Sequence, residues 1–280
     1  QGGIGTDCYV YSADERLLCF TPAERAASLA EDWSDKVFIQ DVSVRDATDE
    51  FAVFGVHGPS ATETVATLLA GASVPETPLT FVRGSLAGTG VTVVATDEPT
   101  GESGYEVVCA AADAEDVLDA LLTRGTPTTP VGHRTWNTLT LEAGTPLFDT
   151  ELVGRVPNVA GVRNALDFDK GCYVGQEVVS RVENQGRPSE RLVGLTLDTV
   201  PETGAAAVDA DGADVGAVTR GAASPSLDRP VALAYVDSGT LADAPDLAVS
   251  VDGDDVDATV TPLPFVEGGG RSARLPSYSD

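Results

Sequence analysis

The sequence predicts an α+β body followed by a small all-β domain. Up to about residue 142, alternating strand patterns are interspersed with helices that carry recognisable start and stop residues. From residue 191 to residue 265 only short alternating strands remain, among them "RLVGLTLD", "VGAVTRG", "VALAYVD" and "LAVSVDG", separated by Gly, Asp and Pro turns. This spacing is typical of a small barrel or sandwich. We therefore expect an α+β body at 1–188, a β domain at 189–266 and a flexible tail at 267–280.

The first 71 residues predict a hairpin, a helix, two strands and a second helix. "TDCYVYS" and "RLLCF" alternate like paired, half-buried strands. "TPAERAASLAEDW" predicts a helix in which Thr21 is the N-cap, Pro22 lies in the first turn and Glu24 closes a capping box. "KVFIQDVS" and "FAVFGVHG" are predicted strands, and "PSATETVATLLAG" is a predicted helix that ends at Gly71.

The next segment continues the mixture of strands and helices. "GVTVVAT" and "GYEVVCA" predict strands on either side of the turn "DEPTGES". "DAEDVLDALLTRG" predicts a helix with Asp113 as N-cap and Gly125 as its stop. "GHRTWNTLTLEAG" predicts a further helix from about Val131 to Glu142.

The charge of the chain excludes one class of partner. The 44 acidic and 17 basic residues give a net charge of −27, spread along the whole sequence. Neutralising phosphates requires clustered Lys and Arg, so we expect no direct nucleic-acid binding. Lysine is almost absent while 42% of the residues are apolar, which is typical of an ordinary core under an acidic surface. We interpret this as halophilic adaptation, because high salt screens self-repulsion.

The number and spacing of cysteines, histidines and apolar runs indicate whether the protein binds a metal and in which cell compartment it is expected. The four cysteines are far apart and only two histidines are present, so we expect no metal site. No secretory signal or apolar run of membrane-spanning length is visible, which predicts a cytoplasmic protein with reduced thiols and no membrane contact. The chain lacks Met and opens as if in mid-domain, so we expect that an N-terminal part is missing from it.

The segment "FDKGCYVGQEVVSR", residues 168–181, places Lys170 two residues before Cys172. A loop cysteine is most often a small buried hydrophobe. Alternatively, Lys170 and the N-terminus of a helix starting near "GQEVVSR" would lower the pKa of Cys172. The thiolate would then be a nucleophile, a redox group or a contact to iron or sulfur.

Several stretches, in order, make the chain resemble the folate-binding superfamily of the glycine-cleavage T-protein (aminomethyltransferase) and its YgfZ-type relatives. They are "GGIGTDCYV", "FAVFGVHGPSA", "PTGESGYEVV", "LTLEAGTPLFDTEL" and "KGCYVGQE". The last stretch is the signature of the YgfZ-type branch. Where T-proteins carry an Arg-Asp pair, this chain has Trp136 and Asn137. The resemblance implies an α+β folate-binding cloverleaf with a C-terminal barrel, truncated here at its N-terminus.

The resemblance also implies roles for individual residues. Asp7 falls on the catalytic acid of T-proteins, and it would face the one-carbon end of tetrahydrofolate. Glu102 falls on the pterin-binding glutamate, and a carboxylate suits the parallel N–H groups of the pterin edge. Tyr105 and Trp136 are further candidates for cofactor binding, and Cys172 with Lys170 for catalysis. Taken without the resemblance, Asp7 is an ordinary strand residue and Glu102 a solvated loop acid.

Two functions follow from the resemblance. The first is a tetrahydrofolate-binding protein of YgfZ type, which maintains iron–sulfur client proteins, has links to tRNA modification and depends on Cys172. The second is an aminomethyltransferase, which takes a one-carbon unit from a lipoyl carrier protein, passes it to tetrahydrofolate and does not need Cys172. A demethylase module is a weaker third interpretation, since such modules normally adjoin a flavin domain that is not visible here.

Overall fold

The computed structural model describes residues 2–186, 188–242, 246–267 and 271–278. Contacts divide the chain into two units. The sheet unit comprises Gly5–Thr96 and Ser103–Pro130, and the barrel unit comprises Gln1–Ile4, Asp97–Glu102 and Val131–Asp280. The domain limits expected at 188 and 266 stay a prediction, and Arg187 lies outside the described residues.

The sheet unit begins with the predicted hairpin. Strands β1 (Tyr9–Ala13) and β2 (Arg16–Phe20) pair antiparallel, with Tyr11 opposite Leu18. The ring of Tyr11 packs edge-on against Phe20 and Phe81, with centroids 5.5 and 6.0 Å apart. One face of the hairpin is therefore buried, as the alternating sequence predicts.

A five-stranded antiparallel sheet forms the centre of the sheet unit. Its strands run in the order β3-β7-β6-β5-β4, with the bounds β3 (Phe51–His57), β4 (Leu69–Ala70), β5 (Phe81–Leu86), β6 (Thr89–Ala95) and β7 (Gly104–Ala110). The predictions for "FAVFGVHG", "GVTVVAT" and "GYEVVCA" are confirmed. Strand β5 was not predicted, because Arg83 and Gly84 interrupt its apolar pattern.

The helices of the sheet unit are α1 (Ala23–Ser34), α2 (Ala61–Leu68) and α3 (Ala114–Thr123). Val65 and Val117 are fully buried within the same core cluster as Val93 and Val107 of the sheet. Asp113 is the N-cap residue of α3, as predicted, although its side chain makes no capping hydrogen bond.

Three predictions in the sheet unit are wrong. The helix predicted to end at Gly71 ends at Leu68, because Leu69 and Ala70 form β4 and pair with β5. Helix α1 has Pro22 in place of Thr21 at its N-cap and no side-chain capping hydrogen bond, and the Thr21 hydroxyl donates to the backbone oxygen of Asp7 at 3.0 Å. The segment "KVFIQDVS" forms no strand. No neighbouring strand pairs with it, and the side chains of Phe38 and Ile39 are 85% and 94% exposed.

The barrel unit contains helices before and within its strands. They are α4 (His133–Glu142), α5 (Pro157–Ala160), α6 (Gln176–Gln185) and α7 (Ser238–Ala242). Helix α4 confirms the prediction for "GHRTWNTLTLEAG", and a π-helical turn follows at Phe148–Leu152. Helix α6 begins at Gln176 within the "GQEVVSR" stretch, directly after Gly175 with φ +93° and after the Lys-Gly-Cys-Tyr residues. No helix in the described part of the chain is long and apolar enough to span a bilayer.

The C-terminal strands close into a barrel and thereby exclude a sandwich. Their order around the barrel is β10-β11-β8-β13-β12-β9, with the bounds β8 (Glu190–Leu197), β9 (Ala206–Asp209), β10 (Asp214–Ser224), β11 (Arg229–Asp237), β12 (Leu247–Val251) and β13 (Asp254–Thr261). Alternate residues, such as Leu195, Leu197 and Val249, fill a buried core. Strands β9 and β13 lie within the predicted strand region but outside the four quoted stretches, since they are short or rich in Asp.

The final segment, residues 271–278, packs against the barrel unit. The hydroxyl of Tyr278 accepts a hydrogen bond from the Leu192 backbone N–H at 2.7 Å and donates one to the Val159 carbonyl at 3.0 Å. The Ser277 N–H donates to the Gly161 carbonyl at 2.9 Å. This packing differs from the expected flexible tail, because partners more than 80 residues away satisfy its polar groups. Residues 268–270 and 279–280 of that predicted tail lie outside the described residues.

Candidate functional site

The turn that carries Glu102 connects β6 to β7. Gly101 has φ +76° and its N–H donates to the Glu98 carbonyl at 2.9 Å, so a glycine is needed here to reverse the chain. The Glu102 side chain is half-buried, which differs from the fully solvated loop acid considered as the alternative. The predicted pterin-binding carboxylate therefore lies in a defined, partly desolvated turn.

The C-terminal segment holds the first residues of this turn within the barrel unit. The Ala273 N–H donates to the backbone oxygen of Asp97 at 3.0 Å, and Arg274 Nε donates to the Asp97 carboxylate at 2.7 Å. Arg271 lies 3.3 Å from the carboxylate of Glu98. The side chain of Asp97 is 9% exposed, so its contact with Arg274 is largely shielded from water.

Thr100 offers a second polar group near Glu102. Its residue is 9% exposed, and its Oγ1 is buried with no hydrogen-bond partner among the described residues. A buried hydroxyl without a partner costs free energy, which makes Thr100 an unusual residue of this turn. It lies two residues before Glu102, the carboxylate predicted to bind the pterin.

Gly104, at the other end of the turn, serves packing within the sheet unit. A Cβ there would lie 2.4 Å from Nδ1 of His57 and 2.6 Å from Oγ1 of Thr96. The absence of a side chain is therefore required by these protein neighbours.

Asp7 lies in the sheet unit, immediately before β1. Its side chain is half-buried. Its backbone oxygen accepts hydrogen bonds from the hydroxyls of Thr6 at 3.1 Å and Thr21 at 3.0 Å, which fix the main chain at this residue. The catalytic role of Asp7 stays a prediction.

The two aromatic candidates have different surroundings. Tyr105 on β7 is 6% exposed and belongs to the core of the sheet unit, and its hydroxyl lies 3.0 Å from the hydroxyl of Thr62. Trp136 is half-buried on α4 in the barrel unit. Its backbone oxygen accepts a hydrogen bond from the Thr140 hydroxyl at 3.0 Å. Cofactor binding by either side chain stays a prediction.

The loop before α6 exposes the Lys-Gly-Cys-Tyr residues. Cys172 is exposed, in contrast to the buried hydrophobe considered as one alternative. The ammonium of Lys170 lies 4.7 Å from the centroid of the Tyr173 ring, in a cation–π contact. Val174 is fully exposed. The catalytic roles of Lys170 and Cys172 stay predictions.

The candidate residues divide between the two units. Glu102, Trp136, Lys170 and Cys172 belong to the barrel unit, and Asp7 and Tyr105 belong to the sheet unit.

Sequence reasoning missed three polar residues of the turn and its neighbour, namely Thr100, Asp97 and Arg274. The turn "DEPTGES" marks the first two only as loop residues, and nothing local pairs Arg274 with a residue 177 positions away. In the described part of the chain, no group of three His, Cys, Asp or Glu residues could hold a metal.

An α+β body followed by a closed six-stranded barrel is the architecture of the T-protein fold class. The GCVT N-terminal domain model matches residues 1–170, and the model of the glycine cleavage T-protein C-terminal barrel domain matches residues 190–267. The chain belongs to this family. The predicted T-protein fold with a C-terminal barrel is thereby confirmed, and tetrahydrofolate is the cofactor that the family uses.

Individual relatives agree with this assignment. An aminomethyltransferase of Saccharopolyspora erythraea is 34% identical over 95% of this chain and 74% of its own length. A probable aminomethyltransferase of Halobacterium salinarum is 34% identical over 89% of this chain and 69% of its own length. The crystal structure of glycine cleavage system aminomethyltransferase T from Bartonella henselae superposes with a TM-score of 0.80 at 23% identity, covering all of this chain and 74% of that one. These names support the superfamily but not the YgfZ-type branch.

Proposed function

We propose that the protein is an aminomethyltransferase of the glycine cleavage type. It takes a one-carbon unit from the aminomethyl-lipoyl arm of a carrier protein, passes it to tetrahydrofolate and releases ammonia. The names of the relatives favour this reaction over the YgfZ-type role that the sequence first suggested. Its lipoyl carrier is therefore the preferred partner, in place of iron–sulfur clients.

The half-buried carboxylate of Glu102 is the observation that carries this proposal. It lies in a turn fixed by the left-handed Gly101 and by the contact of Arg274 with Asp97. A carboxylate held in this way accepts two parallel N–H bonds without first having to be ordered. The Thr100 hydroxyl, buried without a hydrogen-bond partner among the described residues, lies in the same turn.

Asp7 supplies the acidic group of the proposed chemistry. The hydroxyls of Thr6 and Thr21 hold the main chain at Asp7 in place, and the resemblance to T-proteins assigns its carboxylate the acidic role in the transfer. When bound, tetrahydrofolate supplies the nitrogen atoms that accept the one-carbon unit.

The test separates binding from transfer. We would titrate the protein with tetrahydrofolate by calorimetry, and we would measure ammonia release from an aminomethyl-loaded lipoyl carrier. Glu102→Gln should weaken binding at least tenfold, because an acceptor of two N–H bonds becomes a mixed donor and acceptor. Glu115→Gln, at an exposed position on α3, is the matched control and should change neither quantity. Unchanged affinity in Glu102→Gln would sink the folate site, and absent ammonia release in the wild type would sink the reaction.

A second candidate function rests on the Lys-Gly-Cys-Tyr loop. The YgfZ-type role of maintaining iron–sulfur proteins in a folate-dependent way is favoured by the exposed thiol of Cys172, and by Trp136 and Asn137 at the positions of the Arg-Asp pair. The two functions respond differently to a single change. Cys172→Ala should leave ammonia release intact if the protein is an aminomethyltransferase. It should abolish the restoration of iron–sulfur enzyme activity in a deletion strain if the YgfZ-type role is correct.

A further inference from the structure

Two cysteines lie on the same face of the N-terminal hairpin. Cys19 is paired with Val10 across the hairpin, and Cys8 precedes Val10 by two residues. Because side chains alternate along a strand, Cys8, Val10 and Cys19 share one face, whereas Tyr11 packs into the core from the other. Cys8 and Cys19 are thus diagonal neighbours across the two strands.

The thiols interact, and their exposure differs. Burial, followed by the charge and hydrogen bond of Cys19, raises the pKa of Cys8 to about 11. Cys8 is half-buried, while Cys19 is exposed to solvent. A solvent-borne oxidant therefore reaches Cys19 first, and the neighbouring Cys8 thiol remains protonated at neutral pH.

We propose that Cys8 and Cys19 form an oxidisable dithiol, which a hydroperoxide converts into a disulfide across the hairpin. In the first step the Cys19 thiolate attacks a peroxide oxygen, so that an S–O bond forms, the O–O bond breaks and the proton released from the thiol leaves with the alcohol or water. Sulfur loses two electrons to the peroxide in this step. In the second step Cys8 Sγ attacks Cys19 Sγ, an S–S bond replaces the S–O bond, and the Cys8 proton joins the departing hydroxide as water.

The hairpin can accommodate this bond. Cys8 lies one residue before Tyr9, the first residue of β1 in the pairing register, so the ladder does not fix its main chain. Small shifts at this end bring a diagonal pair into the range that a disulfide requires. Among the other cysteines, Cys109 is only 3% exposed in the core of the sheet unit, and Cys172 belongs to the barrel unit.

The bond would act on a neighbour with a proposed role. Asp7 adjoins Cys8, and the hydroxyl of Thr21, two residues after Cys19, bonds the Asp7 backbone oxygen. Drawing Cys8 toward Cys19 displaces the main chain at Asp7. This consequence rests on the proposed aminomethyl transfer, whereas the oxidation itself does not.

Peptide mapping tests the oxidation directly. The protein would be treated with one equivalent of hydrogen peroxide, its remaining thiols alkylated, and the product digested with trypsin without reduction. Cleavage after Arg16 and Arg25 places the two thiols in separate peptides, one that ends at Arg16 and one that spans residues 17–25. We expect these peptides joined and two hydrogen atoms lighter than their sum, in the wild type and in the control Cys172→Ser.

Two variants and one activity assay complete the experiment. Cys8→Ser should give no joined peptide and instead a sulfenic acid at Cys19 that a dimedone reagent labels, and Cys19→Ser should give neither. Joined peptides that pair Cys19 with Cys172, or alkylation of both hairpin thiols after peroxide, would overturn the proposal.

In the activity assay, peroxide should lower ammonia release at least fivefold in the wild type but not in Cys19→Ser, with recovery on adding dithiothreitol. If the disulfide-joined peptides form but ammonia release does not change, the proposed effect on Asp7 is wrong, whereas the oxidation of Cys8 and Cys19 is still supported.

Discussion

Arg220 Nε of β10 donates to Glu151 Oε1 at 2.9 Å, and the two side chains are 7% and 0% exposed. Further hydrogen bonds complete this buried pair. Arg220 also donates to the Thr140 hydroxyl and the Thr145 carbonyl, and the Leu147 N–H donates to Glu151. The pair therefore joins a barrel strand to the segment that follows α4, with its charges and polar atoms satisfied.

Removing one partner of this pair should destabilise the protein strongly. Arg220→Met leaves the buried Glu151 carboxylate without its counter-charge, which costs about 3–5 kcal/mol of unfolding free energy. Arg181→Met removes an exposed pair with Glu177, whose side chains are 64% and 85% exposed, and should cost less than about 1 kcal/mol. Urea unfolding followed by circular dichroism measures both. Equal losses in the two variants would contradict a buried role for Arg220.

The packing of the C-terminal segment can be tested with two glycines of equal backbone angle. Gly161 has φ +74°, and a Cβ there would lie 2.9 Å from the Tyr278 ring and 3.0 Å from Pro276. Gly154 has φ +75°, with nothing within 4 Å. Both alanine variants carry the left-handed strain of about 1–2 kcal/mol, but Gly161→Ala should lose roughly 1–3 kcal/mol more by overpacking. Equal melting temperatures in the two variants would show that Tyr278 does not rest on Gly161.

Stability should fall at alkaline pH because buried tyrosines resist ionisation. Burial, the largest cause, raises the pKa of Tyr235 well above its ordinary value, and the residue is 1% exposed. The unfolded chain loses this proton from about pH 10 while the folded chain keeps it. The stabilisation is therefore full below pH 10 and decreases as the pH rises toward the raised pKa, by up to about 1.4 kcal/mol per pH unit.

Tyr235→Phe should reduce this alkaline loss without abolishing it, since burial also raises the pKa of Tyr278. At pH 7 the variant should lose only about 1 kcal/mol, the value of the hydrogen bond from Tyr235 to the Glu151 carbonyl. Urea unfolding between pH 7 and pH 11 gives both quantities. If the unfolding free energy fell equally with pH in wild type and Tyr235→Phe above pH 10, the raised pKa of Tyr235 would not be a cause of the alkaline loss.

Arg274 should influence tetrahydrofolate binding without touching the pterin. Arg274→Gln removes the charged hydrogen bond to Asp97 and loosens the turn that ends in Glu102. We expect an affinity loss of about fivefold, corresponding to about 1 kcal/mol. Arg229→Gln, which affects an exposed pair with Asp198 in the same unit, is the matched control. Calorimetric titration measures the dissociation constant of tetrahydrofolate for both variants. An unchanged constant in Arg274→Gln would show that Arg274 does not fix the turn for binding.

Added salt should stabilise the protein near neutral pH. With a net charge of −27, self-repulsion is screened when the Debye length shrinks from about 10 Å at 0.1 M to about 3 Å at 1 M salt. The urea midpoint at pH 7 should rise over this range. The control is the same series near pH 4, close to the isoelectric point of about 4.1, where the rise should shrink. The same rise at both values would point to a general salt effect in place of charge screening.

Sequence patterns predicted those elements whose hydrophobic period is complete within the element, such as the hairpin, α4 and most barrel strands. They failed where a distant or missing partner decides the outcome. Thr21 lies one residue before the N-cap Pro22 of α1, and its hydroxyl contacts Asp7. The segment "KVFIQDVS" alternates well but pairs with no strand of the described residues.

The candidate site shows the same division between local and long-range information. The stretch "PTGESGYEVV", which makes the chain resemble the T-protein superfamily, singled out Glu102, whose pterin-binding role stays a prediction. It could not locate Arg274, whose contact with Asp97 spans 177 residues. The buried pair of Glu151 and Arg220, 69 residues apart, was hidden for the same reason.

The closed barrel has a consequence for how the chain opens and refolds. Strand β8 pairs with both β11 and β13, and β9 pairs with both β10 and β12, so each strand has two neighbours and no end strand is left to fray. Its amide protons can exchange with solvent only when a seam of the ring separates, which places the barrel among the slowest-exchanging parts of the chain. Closing the same ring requires β8 to meet β13 across some sixty residues, so the step that seals it is also a slow one in folding.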